Sequence, residues 1–312
     1  MSQKIFKQIG IGLLVTFCVT GKLQAQTDPM YSQYMYNMLG INPAYAGSRE
    51  AISLNAFYRK QWVSLPGAPQ TTSVSVDGAI NDNKVGLGIQ LYDDRLGVEK
   101  ATGFNAMVST RVHVSEKGVL SGGLSFGMMN YRTDLTQVPN RFTPGDPAFS
   151  QNYSKWMATI GAGLYYNTDR FYAGVSVPNI LRTRIATLDL ITSGIQKAND
   201  FHIFITSGVV LDMSDEVKLK PSVLLKAVSG APVQADLNCN VWLRDVIGLG
   251  ASYRTGDAIV GMAELQVNPQ LRLGYAYDVT TSQLNSFNRG SHELMFRFEF
   301  GRNKTIKSTR YF

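Results

Sequence analysis

Residues 293–300 read Glu-Leu-Met-Phe-Arg-Phe-Glu-Phe, and from Leu294 to Phe300 every second side chain is a large apolar group. The side chains between them include Arg297 and Glu299. Because successive side chains of a β-strand point to opposite faces, a strand here has one apolar and one polar face. The same period of two recurs in residues 217–226 and 233–241. The pattern predicts a protein built from strands, although a soluble β-sandwich would produce the same alternation.

Applied along the whole chain, this alternation predicts fourteen strands separated by polar or glycine-rich turns. An even number of antiparallel strands is typical of bacterial outer-membrane barrels. The predicted strands are Ile52–Lys60, Thr71–Ile80, Lys84–Tyr92, Gly103–Val114, Val119–Tyr131, Lys155–Asn167, Phe171–Val177, Phe201–Leu211, Val217–Val228, Val233–Trp242, Ile247–Arg254, Ile259–Val267, Leu271–Val279 and His292–Gly301.

The lengths of the connections distinguish a barrel from a sandwich. Connections after odd-numbered strands vary and include the long stretches Arg132–Ser154, Pro178–Asp200 and Thr280–Ser291. Short turns on one rim and long loops on the other are typical of outer-membrane barrels, with the short turns in the periplasm. We therefore expect an all-β protein, a transmembrane antiparallel up-and-down β-barrel of about fourteen strands. The turns after even-numbered strands are all short and polar, at residues 81–83, 115–118, 168–170, 212–216, 243–245 and 268–270.

The first 25 residues have the three parts of a secretory signal peptide. Lys4 and Lys7 precede an apolar run over residues 9–19 that is too short to span a bilayer as a helix, and Ala25 ends the segment. Removing it leaves Cys239 as the only cysteine, which excludes an intrachain disulfide. The formal net charge of +7 includes three signal lysines, so the remaining charge is too small to indicate a nucleic-acid partner.

Residues 26–50 lack the alternation and are rich in Met, Tyr and Asn. Pro29 and Pro43 prevent a long regular element. Because fourteen strands enclose more space than inward side chains fill, we expect this segment to fold into the lumen as a plug. A solvated periplasmic arm is the alternative. The predicted organisation is a signal peptide at 1–25, a plug-like segment at 26–50, a barrel at 51–301 and a C-terminal tail at 302–312.

The alternation also assigns side chains to faces. Aromatic residues at strand ends are expected to form girdles at the two membrane interfaces; they are Tyr58, Trp62, Tyr92, Tyr131, Trp156, Tyr165, Tyr166, Trp242, Tyr253 and Tyr277. Charges of both signs are expected on the inner face, where they would form ion pairs around the plug rather than a selectivity ring; they are Arg59, Arg111, Lys218, Lys220, Asp236, Arg254, Glu264, Arg272, Asp278, Arg297 and Glu299.

The residue types that carry catalysis do not converge. His113, His202 and His292 lie in three separate predicted strands, without the spacing of metal ligands. In Ser291-His292-Glu293 neighbouring side chains point to opposite faces, so the tripeptide cannot form a triad. The strand glycines lack the helix and lysine that follow a phosphate-binding loop. We predict a non-enzymatic protein with no catalytic residue, no metal site and no cofactor.

Three motifs carry a resemblance to a known family. They are Asp28-Pro29-Met30-Tyr31-Ser32-Gln33-Tyr34 followed by Asn37 and Ile41-Asn42-Pro43-Ala44-Tyr45-Ala46-Gly47; Gln61-Trp62 followed by Leu65-Pro66-Gly67-Ala68-Pro69-Gln70-Thr71; and Ser291-His292-Glu293 with the terminal Arg310-Tyr311-Phe312. Together they resemble the PorP/SprF family of the Bacteroidetes type IX secretion system. The resemblance extends over essentially the whole mature chain.

The resemblance implies an outer-membrane protein, with its short turns and both termini in the periplasm. It also implies that the protein supports secretion or surface attachment of a cognate large protein, such as a gliding adhesin. Its expected partners are outer-membrane lipid, that cargo protein, and periplasmic secretion or peptidoglycan-linked components. A passive or ligand-selective outer-membrane channel is the alternative, and an outer-membrane hydrolase is a more distant one.

The first two motifs supply the candidate site. In the second, Pro66-Gly67 is a turn-forming pair that would hold Trp62 on a rigid loop between the first two strands. That loop either folds the plug against the barrel wall or binds a partner directly. The residues expected to bind a partner or form the plug are Asp28, Pro29, Tyr31, Ser32, Gln33, Tyr34, Asn37, Asn42, Pro43, Tyr45, Gly47, Gln61, Trp62, Gly67, Ala68 and Pro69.

Overall fold

The computed structural model describes residues 30–49, 51–137, 149–182, 202–228 and 231–300. Predictions for the signal peptide, for Asp28 and Pro29 and for the tail at 302–312 lie outside these residues. The described part forms fifteen β segments, whose order follows the chain. They are β1 (Ile52–Lys60), β2 (Gln70–Ile80), β3 (Val85–Leu96), β4 (Glu99–His113), β5 (Val119–Thr133), β6 (Tyr153–Asn167), β7 (Phe171–Arg182), β8 (His202–Val209), β9 (Leu211–Asp212), β10 (Val217–Val228), β11 (Gln234–Leu243), β12 (Ile247–Arg254), β13 (Ala258–Gln266), β14 (Leu271–Thr280) and β15 (Ser291–Phe300).

The segments close into a barrel. Both β8 and β9 pair with β10, so they occupy one position in the wall and the fifteen segments make fourteen strands. β1 pairs with β15 in register from Ile52 opposite Phe300 to Lys60 opposite His292. In the described residues every strand pairing is antiparallel. The prediction of an all-β, fourteen-stranded closed barrel is confirmed.

Several strands extend beyond the predicted limits at the long-loop rim. β3 and β4 continue their ladder to Leu96 opposite Glu99, through residues that alternation assigns to a loop. β5 and β6 likewise continue to Thr133 opposite Tyr153. Apolar and polar residues alternate along a strand only where one face contacts lipid and the other faces the lumen. Beyond the membrane both faces contact water, so the ladder continues without a pattern in the sequence.

The alternation within the wall separates a lipid face from a lumen face. On β15, Leu294 is 53% exposed and Phe296 is 38% exposed, whereas Met295 between them is 3% exposed. The predicted inner-face charges are buried, except Lys218, which is partly exposed near the short turns. Among the predicted girdle residues, Tyr165 and Trp242 are buried in the lumen. Their assignment to the girdle was wrong because an aromatic residue near a strand end can fill the lumen as readily as it can sit at an interface.

In the part of the chain that the structure describes, helical structure takes the form of short turns, among them Tyr34–Tyr36, Met38–Ile41, Pro43–Tyr45, Leu135–Gln137 and Gln283–Phe287. Within the described ranges, none of these helical turns has the length and hydrophobicity needed to cross a membrane.

The lipid face generates a first prediction. Replacing Phe296 by Arg should lower the free energy of unfolding by about 2–4 kcal/mol, because the charge would enter hydrocarbon near the middle of a strand. Phe287→Arg is the control: Phe287 is exposed in a loop at the rim, and its change should stay within about 0.5 kcal/mol. Urea unfolding in lipid vesicles measures both. Equal tolerance of the two changes would contradict the lipid-face assignment.

Candidate functional site

Residues 30–49, here called the inner segment, lie inside the barrel. Residues 31–39 and 41–49 are all buried, and their apolar side chains form one cluster with inward residues of the wall such as Phe57 and Met295. The segment folds as three short helical turns, and the Asn42-Pro43 pair separates the second turn from the third. The Asn42 side chain accepts a hydrogen bond from the Ala44 amide at 2.9 Å and so begins the turn at Pro43. The lumen position predicted for the N-terminal segment is thus observed for its described residues.

One side of the lumen is shaped to the inner segment by glycine. A Cβ atom on Gly86 would collide with the Ala46 carbonyl, one on Gly123 with the Ala44 backbone, and one on Gly163 with the Asn42 side chain. These glycines lie on β3, β5 and β6. Their absent side chains let the segment approach the backbone of the wall directly.

Hydrogen bonds hold the segment against this glycine side. Ser109 Oγ donates to the Ala46 carbonyl and Ser176 Oγ to the Ile41 carbonyl, each at 2.8 Å. The Asn42 Nδ2 donates to the Leu164 carbonyl at 2.9 Å. These groups are buried or partly buried. The wall and the inner segment therefore satisfy each other's backbone carbonyls, which water does not reach.

The start of the inner segment is anchored to a buried ionic network. The amides of Ser32 and Gln33 donate to Glu293 at 2.8 and 2.9 Å, and Ser32 Oγ donates to Asp278 at 2.7 Å. Arg59 donates to Ser32 Oγ and forms ion pairs with Asp278 at 2.7 Å and Glu293 at 3.0 Å. All of these groups are nearly inaccessible to solvent, so each charge depends on its partners.

The ionic network continues along the long-loop rim of the barrel, where these side chains lie. Arg254 pairs with Asp236 at 3.1 Å and donates to Ser32 Oγ at 3.3 Å. Lys226 pairs with the same Asp236 at 2.8 Å. Three buried cations, counting Arg59, therefore face three buried carboxylates, and the partly exposed Asp257 also pairs with Arg254 at 3.2 Å. The prediction of mixed-sign ion pairing around the plug describes this network well.

The middle of the segment meets a second group of cations. Arg297 donates to the Tyr36 carbonyl at 2.5 Å, and its guanidinium lies 5.5 Å from the centre of the Tyr36 ring. Arg272 lies 5.8 Å from the same ring. Both guanidiniums therefore lie near the Tyr36 ring, whose π system attracts a cation.

The end of the segment is anchored beside the short turns. Arg49 forms an ion pair with Glu299, and the Gly47 amide donates to Asp77 at 2.9 Å. Ser32 contacts strand ends at the long-loop rim, so residues 32–49 run the length of the lumen. The last described residue, Phe300, lies at the short-turn rim, opposite Ile52 at the start of β1. The first described residues lie toward the opposite rim, and those before Met30 are outside the described ranges.

The candidate residues fall into two separate places. The inner segment holds Tyr31, Ser32, Gln33, Tyr34, Asn37, Asn42, Pro43, Tyr45 and Gly47. The second motif, with Gln61, Trp62, Gly67, Ala68 and Pro69, forms a loop at the long-loop rim.

The rim loop has a defined backbone. The Gln61 amide donates to the Pro69 carbonyl at 2.9 Å, the Trp62 amide to Ser291 Oγ at 3.1 Å and the Gly97 amide to the Gly67 carbonyl at 2.8 Å. Both Trp62 and Gly67 have positive φ, at 43° and 73°. A non-glycine residue in this conformation is held there by its surroundings. The first of these bonds closes the loop, and the other two join it to the start of β15 and to the turn between β3 and β4.

Sequence reasoning did not assign Asp77, Ser109 or Ser176 to the site, and it quoted Glu293 only as part of the third motif. The alternation along the strands could have identified Asp77 and Glu293, because each occupies an inward position of its strand, as Met295 does on the strand of Glu293. What the arrangement can do chemically is hold a segment and exclude water. Within the described ranges, no group of three His, Cys, Asp or Glu side chains could hold a metal ion.

The glycine side of the lumen generates a prediction. Gly123→Ala should destabilise the protein by about 1–3 kcal/mol, because the added methyl group has no room against Ala44. Gly261→Ala is the matched control, since a Cβ there meets no atom within 4 Å. Thermal unfolding and limited proteolysis of the inner segment measure the effect. A Gly123 variant as stable and as protected as the Gly261 variant would show that the segment does not rest on this wall.

Comparisons with solved structures find barrels. The CymD monoaromatic hydrocarbon channel aligns with a TM-score of 0.48 at 10% identity, covering 89% of this chain and 95% of that chain. Omp33, an outer membrane protein of Acinetobacter baumannii, aligns with a TM-score of 0.47 at 8% identity, covering 80% of this chain and 99% of that one. The KdgM porin aligns with a TM-score of 0.41 at 7% identity, with coverages of 80% and 99%. No curated protein matches the chain.

A family model gives the identity. The model described as "Type IX secretion system membrane protein PorP/SprF" matches residues 23–298. The match includes the whole inner segment, the rim loop and nearly all of the barrel, so it confirms the resemblance carried by the three motifs. The chain is an outer-membrane β-barrel that belongs to the PorP/SprF family of type IX secretion system membrane proteins.

Proposed function

We propose that this protein is a non-enzymatic accessory of type IX secretion that supports export or surface attachment of a cognate large protein, and that its own lumen is not the conduit. The observation that carries the proposal is the occupied lumen: residues 31–39 and 41–49 are buried along its length. A gliding adhesin is one such cargo. Periplasmic secretion or peptidoglycan-linked components are the partners that would connect the barrel to the rest of the machinery.

The occupied lumen weighs against the alternative of a channel. A passive or ligand-selective channel needs an open, hydrated path, and its charges typically form rings of one sign. Here the inward charges at the long-loop rim have both signs, form ion pairs with one another and are bonded to the inner segment. An accessory, by contrast, needs only a rigid barrel that presents loops on both sides of the membrane.

The rim loop is the part of the candidate site that favours partner binding. Its backbone is held by neighbouring loops, and Phe287 in the adjacent loop is exposed. Exposed aromatic groups on a rigid scaffold are typical of protein-binding surfaces. We propose that the short turns face the periplasm, so that this rim faces the cell exterior and the cargo.

The occupied lumen predicts poor conductance. Purified protein in planar bilayers should show little current. Glu293→Gln combined with Ser32→Ala should raise the open probability at least tenfold, because these changes remove the anchors at the start of the segment. Asp245→Asn is the control, since it weakens an exposed pair with Lys218 near the short turns, away from the anchors of the inner segment. Large, steady current through the unchanged protein would favour the channel instead.

The same variants test the secretory role in cells. Loosening the inner segment should reduce surface display of the cognate cargo, measured by surface proteolysis and mass spectrometry of the medium, while the Asp245→Asn cells should secrete normally. The comparison requires equal amounts of the barrel in the membrane fractions of the cells with the loosened segment and of the Asp245→Asn cells. Normal display with a loosened segment would separate the segment from secretion, and normal display without the protein would overturn the proposed function.

Orientation is tested separately by labelling intact cells. In a Cys239→Ser background, a membrane-impermeant maleimide should label Phe287→Cys at the long-loop rim. It should label Asp82→Cys in a short turn only after the outer membrane is permeabilised. Both positions are solvent-exposed, so accessibility alone does not separate them. The reverse result would place the short turns outside.

A further inference from the structure

The lipid face of the barrel carries a groove that the inner segment does not explain. It has a volume of about 540 Å³ and crosses β4, β5, β6 and β7. Its floor is formed by the small residues Gly122 and Ala162, and its sides include Leu124, Leu164 and Val175, each more than 40% exposed.

Small residues occur here on both faces of the wall, for different reasons. Inward Gly123 and Gly163 are required by contact with the inner segment, because a Cβ on either would collide with it. Outward Gly122 has no such constraint: the one atom near a Cβ there is Leu164 Cδ2, at 3.7 Å. Larger side chains would fit on the outer face, yet the groove is left unfilled. Gly122 is therefore not required by packing within the wall, and together with Ala162 it leaves a depression open to the lipid side.

We propose that this groove binds one acyl chain of a glycerophospholipid. The surrounding surface is the lipid-facing belt of the barrel, so the groove is continuous with an interface that lipid already contacts. Its exposed lining is almost wholly apolar, which suits a hydrocarbon chain and offers nothing to a polar ligand. An ordered chain in the groove restores the close contacts that the missing side chains leave unmade.

The position of the groove specifies the class of lipid. Gly122 is the fourth residue of β5 from its short-turn end, and Leu164 is the fourth from the short-turn end of β6. The groove thus lies in the half of the belt next to the short turns. With those turns in the periplasm, this half contacts the periplasmic leaflet, whose lipids are glycerophospholipids with two acyl chains. The proposal rests on the barrel and its orientation, and not on a role in secretion.

Native mass spectrometry of the full chain in mild detergent tests the proposal. After titration with phosphatidylethanolamine, the unchanged protein should show a strong peak with one lipid bound. Gly122→Leu combined with Ala162→Leu fills the groove and should lower that bound fraction at least tenfold. Gly261→Leu combined with Ala251→Leu, on the outer faces of β13 and β12, is the control, because it adds the same bulk elsewhere on the belt and should leave the bound fraction unchanged.

Folding of each variant is checked by heat-modified gel mobility and circular dichroism, so that loss of lipid is not loss of the barrel. Should the filled variant be unstable, Gly122→Ala alone should lower the bound fraction severalfold and serves in its place. Equal lipid binding in filled and control variants would overturn the proposal. So would an unchanged protein that binds no phospholipid, or a groove occupied by a second protein chain.

Discussion

Closure of the hydrogen-bond ladder is the constraint on which the rest of this structure depends. In hydrocarbon an unpaired backbone amide or carbonyl costs several kcal/mol, so a sheet that spans a membrane must have no open edge. Here the first strand pairs with the last through nine residue pairs, from Ile52 opposite Phe300 to Lys60 opposite His292. The interrupted eighth strand is also continued by pairing of both its parts with β10. Every inward side chain is brought to one lumen by this closure.

A closed wall of fourteen strands creates a second requirement, because its interior is wider than its own side chains fill. Tyrosines and methionines of the inner segment occupy this space, and glycines of the wall let its backbone come close. The buried charges follow from the same arrangement. Arg59 and Asp278 can be nearly inaccessible to water because they bind each other and Ser32. Removing one partner would leave an uncompensated charge in a low-dielectric interior.

Most of the wall could be predicted from residues alone, and the failures have physical causes. Alternation located each strand because lipid and lumen demand different side chains at alternate positions. It underestimated β3 to β7 at the long-loop rim, where both faces contact water and the ladder leaves no signature. It also placed Tyr165 and Trp242 in the girdles, since an aromatic side chain suits both a lumen and an interface. The candidate motifs near the N-terminus and near Trp62 were found by resemblance, but only the structure separates them into a lumen segment and a rim loop.

The sequence by itself determined the strand number, the face of nearly every strand side chain, the sorting of short and long connections, and the family. These properties are local, because a period of two or a turn depends on neighbouring residues. The tertiary structure alone decided which inward groups meet. Ser32 binds Glu293 from a separation of 261 positions, and Gly123 packs directly against the Ala44 backbone, a contact that neither stretch of sequence predicts. The alternating pattern predicts that a side chain points inward. Which partner it contacts in the lumen is decided by closure of the barrel and by the path of the inner segment through the enclosed space.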